Sequence, residues 1–412
     1  GSFGEDSDEA VIKCGGYTGT GSNGLFVNLG FEPQYVLLKR TDDASNWLIL
    51  DNMRGVTFGS ADDIILNANQ SDREVDCKFN AMEFNSTGFT LDSAGGAVNG
   101  SGATYIYIAI RRPHKPPSAG TDVFAIDTKT ATAPAYTSNF PVDLMLRRNN
   151  ITSTDSFEVL EKLSDILGYT NSTSVSANAG ISEKFARNDG WDESSGADSN
   201  DYGFMFKRAP GFFDVVCYDG NSSSGRAMPH NLGAVPELMI IKSRDNNRAW
   251  RVYNSSIGAG GSLRLNSDAA VDSNSAYWST PTADNIILGT DNDTNSSSYS
   301  YIALLFASLD GISKVGTYSG SSSDVTVDCG FTSGSRLVII KRTNGSGEWF
   351  LYDSVRGLTT GIDPYVRLNS NSAQANESEN WVENHNSGFK VNSTAPSDMN
   401  GSGNTYIFLA IA

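Results

Sequence analysis

The feature that most constrains this chain is that it repeats itself. The stretch "NGSGATYIYIAI" (residues 99–110) returns as "NGSGNTYIFLAI" (residues 400–411). Each copy closes a longer series of matching blocks. The first series reads "AVIKCGGYTGTGSNGLFVNLGF", "QYVLLKRTDDASNWLILDNMRG", "IILNANQS" and "NSTGFTLDS" before its closing run. The last reads "ISKVGTYSGSSSDVTVDCGF", "RLVIIKRTNGSGEWFLYDSVRG", "VRLNSNSA" and "NSGFKVNS". Five blocks in one order at nearly one spacing mark an internal duplication, which has to be recognised before any local reading of structure.

A third copy lies between them, with "FFDVVCYDG", "PELMIIKSRDNNRAWRVYNSSIG", "LRLNSDAA", "ADNIILGT" and "SYSYIALLFAS". Trp47, Trp250 and Trp349 hold one slot in the three copies, and they are expected in cores. A worn fourth copy follows the first. There "PVDLMLRRNN" stands for "VLLKRTDD", "SFEVLEKLSD" for the Trp segment, "SVSANAG" for "LNANQS" and "DYGFMFKRAP" for the closing strand. The period of about 100 residues suits a β-sandwich domain rather than a solenoid unit. The expected domains are 10–112, 121–209, 212–308 and 312–412, with the proline-rich "PHKPP" stiffening the first junction.

The fold class follows from the blocks. Short runs such as "YVLLKR" and "LVIIKRT", rich in β-branched residues, predict strands buried on both faces or nearly so. In "TYIYIAI" the residues alternate, and the Ile106, Ile108 and Ile110 face is expected to enter the core. The Gly and Asn of "NGSG" fit a tight strand entry. One stretch departs from the pattern. Phe157, Leu160, Leu163 and Leu167 fall on a helical stripe, with Asp155 or Thr154 to cap it and Gly168 to end it. The reading is thus an all-β protein of four tandem β-sandwich domains of jelly-roll or lectin-like build, with a short helix in the second.

Charge excludes some functions. The 412-residue chain has a formal net charge of −17, which repels nucleic-acid phosphate and anionic lipid. No window approaches the length of an apolar membrane span. Cys14, Cys77, Cys217 and Cys329 form no metal-type cluster. They read as small buried thiols, with a bridge between Cys14 and Cys77 left open. The chain opens with Gly-Ser rather than Met, as a fragment or processed product would.

Motifs for chemistry are sparse. His114, His230 and His385 hold unrelated slots, and no nucleophile motif surrounds them. Asp51 with Arg54, and Asp353 with Arg356, sit three apart and read as surface ion pairs. Asp291, Asp293 and Asn295 alternate as in a calcium loop, but Ser296 and Ile302 stand where that loop needs Gly and Glu. Trp191, Trp278 and Trp381 lie in polar surroundings and are candidate platforms for stacking sugar rings. No catalytic residue, cofactor or metal is expected.

The recurring pattern of "YTGTGSNG", "QYVLLKRTDDASNWLILDNMRG", "NSTGFTLDS" and "NGSGATYIYIAI" resembles a repeated domain of marine bacteriophage tail fibre-like structural proteins. The first, third and last copies carry it, about three quarters of the chain. The resemblance implies a homo-oligomeric virion component, displayed on the outside of the particle beside other virion proteins and touching host surface polysaccharide. An extracellular adhesin or carbohydrate-binding array of a cell is the alternative, and a polysaccharide-degrading enzyme a more distant one.

Overall fold

The computed structural model describes residues 10–59, 63–77, 80–148, 155–176, 179–193, 196–359, 361, 363–376 and 379–412. The fold is all-β. The one α-helix among the described residues, Ser397–Asn400, is a single turn.

Each sequence repeat builds one large sheet and one small one. In the first, the large sheet runs Ile12–Thr18, Thr104–Arg111, Pro33–Arg40, Trp47–Asp51, Ile64–Asn67, Val75–Asp76. The small sheet runs Leu25–Asn28, Gly88–Leu91, Glu83–Asn85. The third and fourth repeats keep this order with five and three strands, and the second has six and two. In the first, third and fourth repeats the two sheets share one apolar cluster, an arrangement compatible with a sandwich.

The duplicated closing segment is therefore a central strand. Thr104–Arg111 lies between Ile12–Thr18 and Pro33–Arg40 and pairs antiparallel with both. Thr405–Ile411 does the same between Ser313–Ser319 and Leu337–Arg342. A strand bonded along both edges is the one whose loss would open the sheet.

Packing forms two compact units. The first comprises residues 1–115 with the short segments 161–166 and 177–187; the second comprises 116–160, 167–176 and 188–412. In the first unit the N–H of Phe58 donates to the carbonyl of Leu163 over 2.7 Å. The Asp165 carboxylate there accepts the N–H groups of Gly180, Ile181 and Ser182.

Three expectations are corrected. The stretch read as a helix is a β-hairpin, with strands Glu158–Glu161 and Ile166–Tyr169 joined by a turn; Thr154, one of its two suggested caps, lies outside the described residues. The slot assigned to "SVSANAG" is filled instead by residues 168–173, where the Thr170 N–H bonds Phe157 O as the Ala68 N–H bonds Trp47 O. And the closing strand of the first repeat turns its other face inward. Tyr105, Tyr107 and Ala109 are buried, while Ile106 and Ile108 are 44% and 39% exposed. The equivalent residues of the third repeat, Ile302 and Leu304, are 1% and 3% exposed.

The second unit explains that difference. Its three repeats turn the outer faces of their large sheets toward one another. Leu144 and Phe206 of the second repeat, Ile240 and Leu304 of the third, and Ile339 and Leu409 of the fourth surround a cavity of about 50 Å³. Burying one such side chain contributes roughly 1.5–3 kcal/mol.

Polar contacts close this junction into a ring. Trp250 of the third repeat donates its indole N–H to Tyr169 O and Ser172 O of the second, at 3.1 and 3.0 Å. Trp349 of the fourth donates to Arg264 O of the third at 2.9 Å. Thr170 of the second donates its hydroxyl to Leu368 O of the fourth at 2.5 Å. Trp250 and Trp349 are thus buried, but between modules rather than inside one, while Trp47 of the first repeat is half-buried.

Candidate functional site

Three residues recur at one spacing in three repeats and form the most regular polar arrangement in the chain. Asn99 accepts the N–H of Thr20 at 2.8 Å and donates to Ser22 O at 2.8 Å. Asn400 accepts from Ser321 and donates to Ser323 O and Asn392 O. Asn295 accepts from Asn221 and donates to Ser223 O and Gly289 O.

Six residues on, a tyrosine hydroxyl ties off the same loop. Tyr105 accepts Gly100 N–H and donates to Gly96 O, both at 2.8 Å. Tyr301 and Tyr406 repeat this with Ser296 and Asn292, and with Gly401 and Ser397. Each ring stacks on a tyrosine of the first strand: Tyr17 at 4.9 Å, Tyr218 at 5.3 Å and Tyr318 at 4.9 Å. The "NGSG" turn is therefore a clamp that fastens the central strand to the loop leaving the first strand.

This clamp decides the candidate cation site. Asn295 is wholly committed to it. Asp293 is paired with Arg251 at 2.8 Å, and Asp291 accepts the N–H of Asp293 at 2.8 Å. The alternating acids are a turn held by protein partners, and among the described residues no group of three metal-type ligands forms.

The aromatic candidates separate. Trp191 is buried against Tyr136, with the Arg147 guanidinium 5.5 Å from its ring. Trp278 is buried edge-on to Tyr253. Neither presents a face to a sugar, which corrects the expectation for both; polar flanks do not prevent a strand residue from pointing inward. Trp381 is half-buried and stacks on Tyr365 at 5.4 Å, so one of its faces is already used.

The acid–Arg pairs also differ from expectation. Arg356 and Asp353 form a fully buried ion pair, and Asp353 accepts the N–H groups of Val355 and Arg356. Asp51 holds its turn in the same way and pairs with a partly exposed Arg54. Asn254 and Glu161 occupy that slot in the other two repeats and bind the following N–H groups likewise. This is a turn anchor, and its signal in the sequence is an Asp, Asn or Glu four residues after the Trp or Phe slot.

The thiols are not bridged: Cys14 is exposed, Cys77 half-buried, and Cys217 and Cys329 buried. Burial lowers the pKa of His230, and His385 is exposed.

The second repeat holds a largely buried ionisable cluster. Glu193 pairs with Lys129 at 3.0 Å and with Arg147, and Arg147 also pairs with Glu158 at 2.6 Å. Asp201 lies buried beside them. Burial pushes its carboxyl up to about 6, with Tyr136, Arg147 and Lys129 offsetting part of the shift. The residue has a proton to exchange near neutrality but no exposed surface at which to meet a substrate.

One open groove lies in the second unit, about 380 Å³, lined by Ser256, Ile257, Val271, Thr317, Thr343, Asn344 and Thr405. Hydroxyls and one amide can hydrogen-bond a polar ligand. This lining supplies no carboxylate or imidazole for acid–base catalysis.

A family model described as a domain of unknown function (DUF7483) matches residues 7–113 and 142–412. No curated protein matches the chain.

Proposed function

This chain belongs to the DUF7483 family of domains of unknown function, and from that premise we propose a non-enzymatic structural protein of tail-fibre or appendage type. It works as a homo-oligomer on the outer face of a virion beside other virion proteins, and it meets host surface glycans through polar loops. The observation that carries this reading is the fate of the recurring polar residues. Asn99, Asn295 and Asn400, their tyrosines, and the anchors Asp51 and Asp353 all hold the modules together. A chain that spends its repeated polar residues on shape is built to present surfaces.

The hydroxyl-lined groove favours a second reading, a carbohydrate-binding array on a cell. Two measurements test the assignment. The purified chain should compete with particles for adsorption to host cells, and it should release no reducing sugar from host polysaccharide. Sugar release abolished by a single carboxylate substitution overturns the non-enzymatic reading. Glycan binding lost on substituting Thr343 and Asn344, without any competition for adsorption, selects the cellular array.

A further inference from the structure

We propose that the outer face of the first repeat's large sheet binds two further copies of this chain, so that three first repeats close the ring that the other three repeats close within one chain. The inference names the interface of the homo-oligomer in the reading above and rests on that reading for there being one.

The face is apolar and exposed. Ile106 and Ile108 are its most exposed residues, and Leu37, Trp47 and Leu66 beside them are half-buried. Ile108 pairs across the sheet with both Leu37 and Cys14, so the exposed Cys14 thiol shares this face. A contiguous apolar patch of this kind on a soluble protein marks a place of association.

What covers it is indicated by the same positions elsewhere in the chain. By register Ile108 corresponds to Leu304 and Leu409, Cys14 to Val215 and Val315, Leu66 to Leu263 and Val366, and Ala68 to Leu265 and Leu368. Those residues of the third and fourth repeats are buried. The Leu304, Leu409, Leu265 and Leu368 side chains line the junction in which copies of the same module cover one another.

The polar slots are complementary as well. Trp250 and Trp349 each donate to the neighbouring repeat at one equivalent carbonyl, Tyr169 O and Arg264 O. In the first repeat the donor is Trp47, whose indole N–H makes no hydrogen bond among the described residues, and the carbonyl that matches by register belongs to Asn67. Lys341 reaches Asp268 O of the preceding repeat at 3.1 Å, and Arg148 reaches Asn371 O at 3.3 Å. The matching pair in the first repeat is Lys39 and Ser71.

Each of these contacts is head-to-tail. Such contacts close a ring only when their rotation permits, and otherwise grow filaments. The second unit shows that this contact closes at three. In a trimer of chains, Trp47 of each copy donates to Asn67 O of the next.

The mass of the full chain in solution, by light scattering or sedimentation, gives the first test. The expected value is three chain masses of 44.1 kDa. Ile106→Asp with Ile108→Asp should yield the single-chain mass with an unchanged far-ultraviolet circular dichroism spectrum, because both residues are exposed in the chain. Maleimide should modify Cys14 slowly in the parent and fast in that variant. Trp47→Phe keeps the ring and removes only the donor; it should weaken association about tenfold per chain contact.

A parent chain that is monomeric or dimeric with rapidly modified Cys14 overturns the proposal, as does a trimer whose mass and Cys14 protection survive both Asp substitutions. A monomeric chain removes this interface and the homo-oligomer, while the adsorption and sugar-release assays judge the non-enzymatic role separately.

Discussion

Trp349 donates its indole N–H to the backbone carbonyl of Arg264, 2.9 Å away in the preceding repeat. Trp250 makes the equivalent bond to Tyr169. The two positions test how much of the second unit's stability resides between modules. Trp349→Phe should lower its unfolding free energy by about 1 kcal/mol, the net worth of one hydrogen bond. Trp349→Ala should cost about 3–5 kcal/mol through the cavity left behind. Denaturant unfolding followed by circular dichroism gives both values, and equal effects would show that the N–H matters more than the packing.

The asparagine clamp predicts a sharp local contrast. Asn400→Ala removes three hydrogen bonds and strands buried backbone groups, so the fourth repeat should lose about 3 kcal/mol. Ser402→Ala, two residues away on the exposed tip of the same turn, should stay within about 0.5 kcal/mol. Amide exchange along Thr405–Ile411 should quicken in the first variant and not in the second.

The two acid–Arg pairs should differ by their burial. Asp353→Asn leaves the buried Arg356 guanidinium uncompensated and should cost about 3–5 kcal/mol. Asp51→Asn leaves Arg54 partly in solvent and should cost no more than about half of that. Thermal unfolding of the two variants ranks them, and the reverse order would refute the burial argument.

Asp201 gives a pH signature. Its folded pKa, about 6, lies above the ordinary carboxylate value of 3.8. The folded chain therefore holds an extra proton between those values, and this residue's contribution to stability falls as pH rises through that window. Asp201→Asn should match the parent near pH 3, gain on it between pH 4 and 6, and hold a constant advantage above pH 7. A stability difference independent of pH would mean that Asp201 titrates normally.

Assembly through the first repeat should respond to salt. Each chain carries a formal net charge of −17, so bringing copies together costs repulsion that salt screens. The mass-average of a dilute solution should rise toward the trimer as sodium chloride is raised, and Ile106→Asp with Ile108→Asp should abolish the response.

The β class and the repeat were legible because the blocks recur with their turn residues, and each block became a strand or loop of one pattern. The hairpin at Glu158–Glu161 and Ile166–Tyr169 was misread because an apolar run buried on both faces has no period of its own. Leu163 falls in its turn and completed a helical stripe by coincidence. The closing strand was misread because both of its faces are apolar. What settles its orientation is the Tyr105 hydroxyl, which needs Gly96 O and Gly100 N–H, and those partners lie on the inner side. The candidate tryptophans were chosen by polar neighbours in sequence, whereas Trp191 and Trp278 each sit in a two-residue strand that buries the tryptophan.

The ring of the second unit has a consequence for variation. When three subunits are separate copies of one gene product, a substitution in any loop appears three times around the axis, and a change harmful at one station is harmful at all. Three modules joined in tandem escape that rule. Each station can alter alone, as the second has with Phe157 where its sisters carry Trp250 and Trp349 and Arg148 where they carry Lys242 and Lys341, while the shared axis survives.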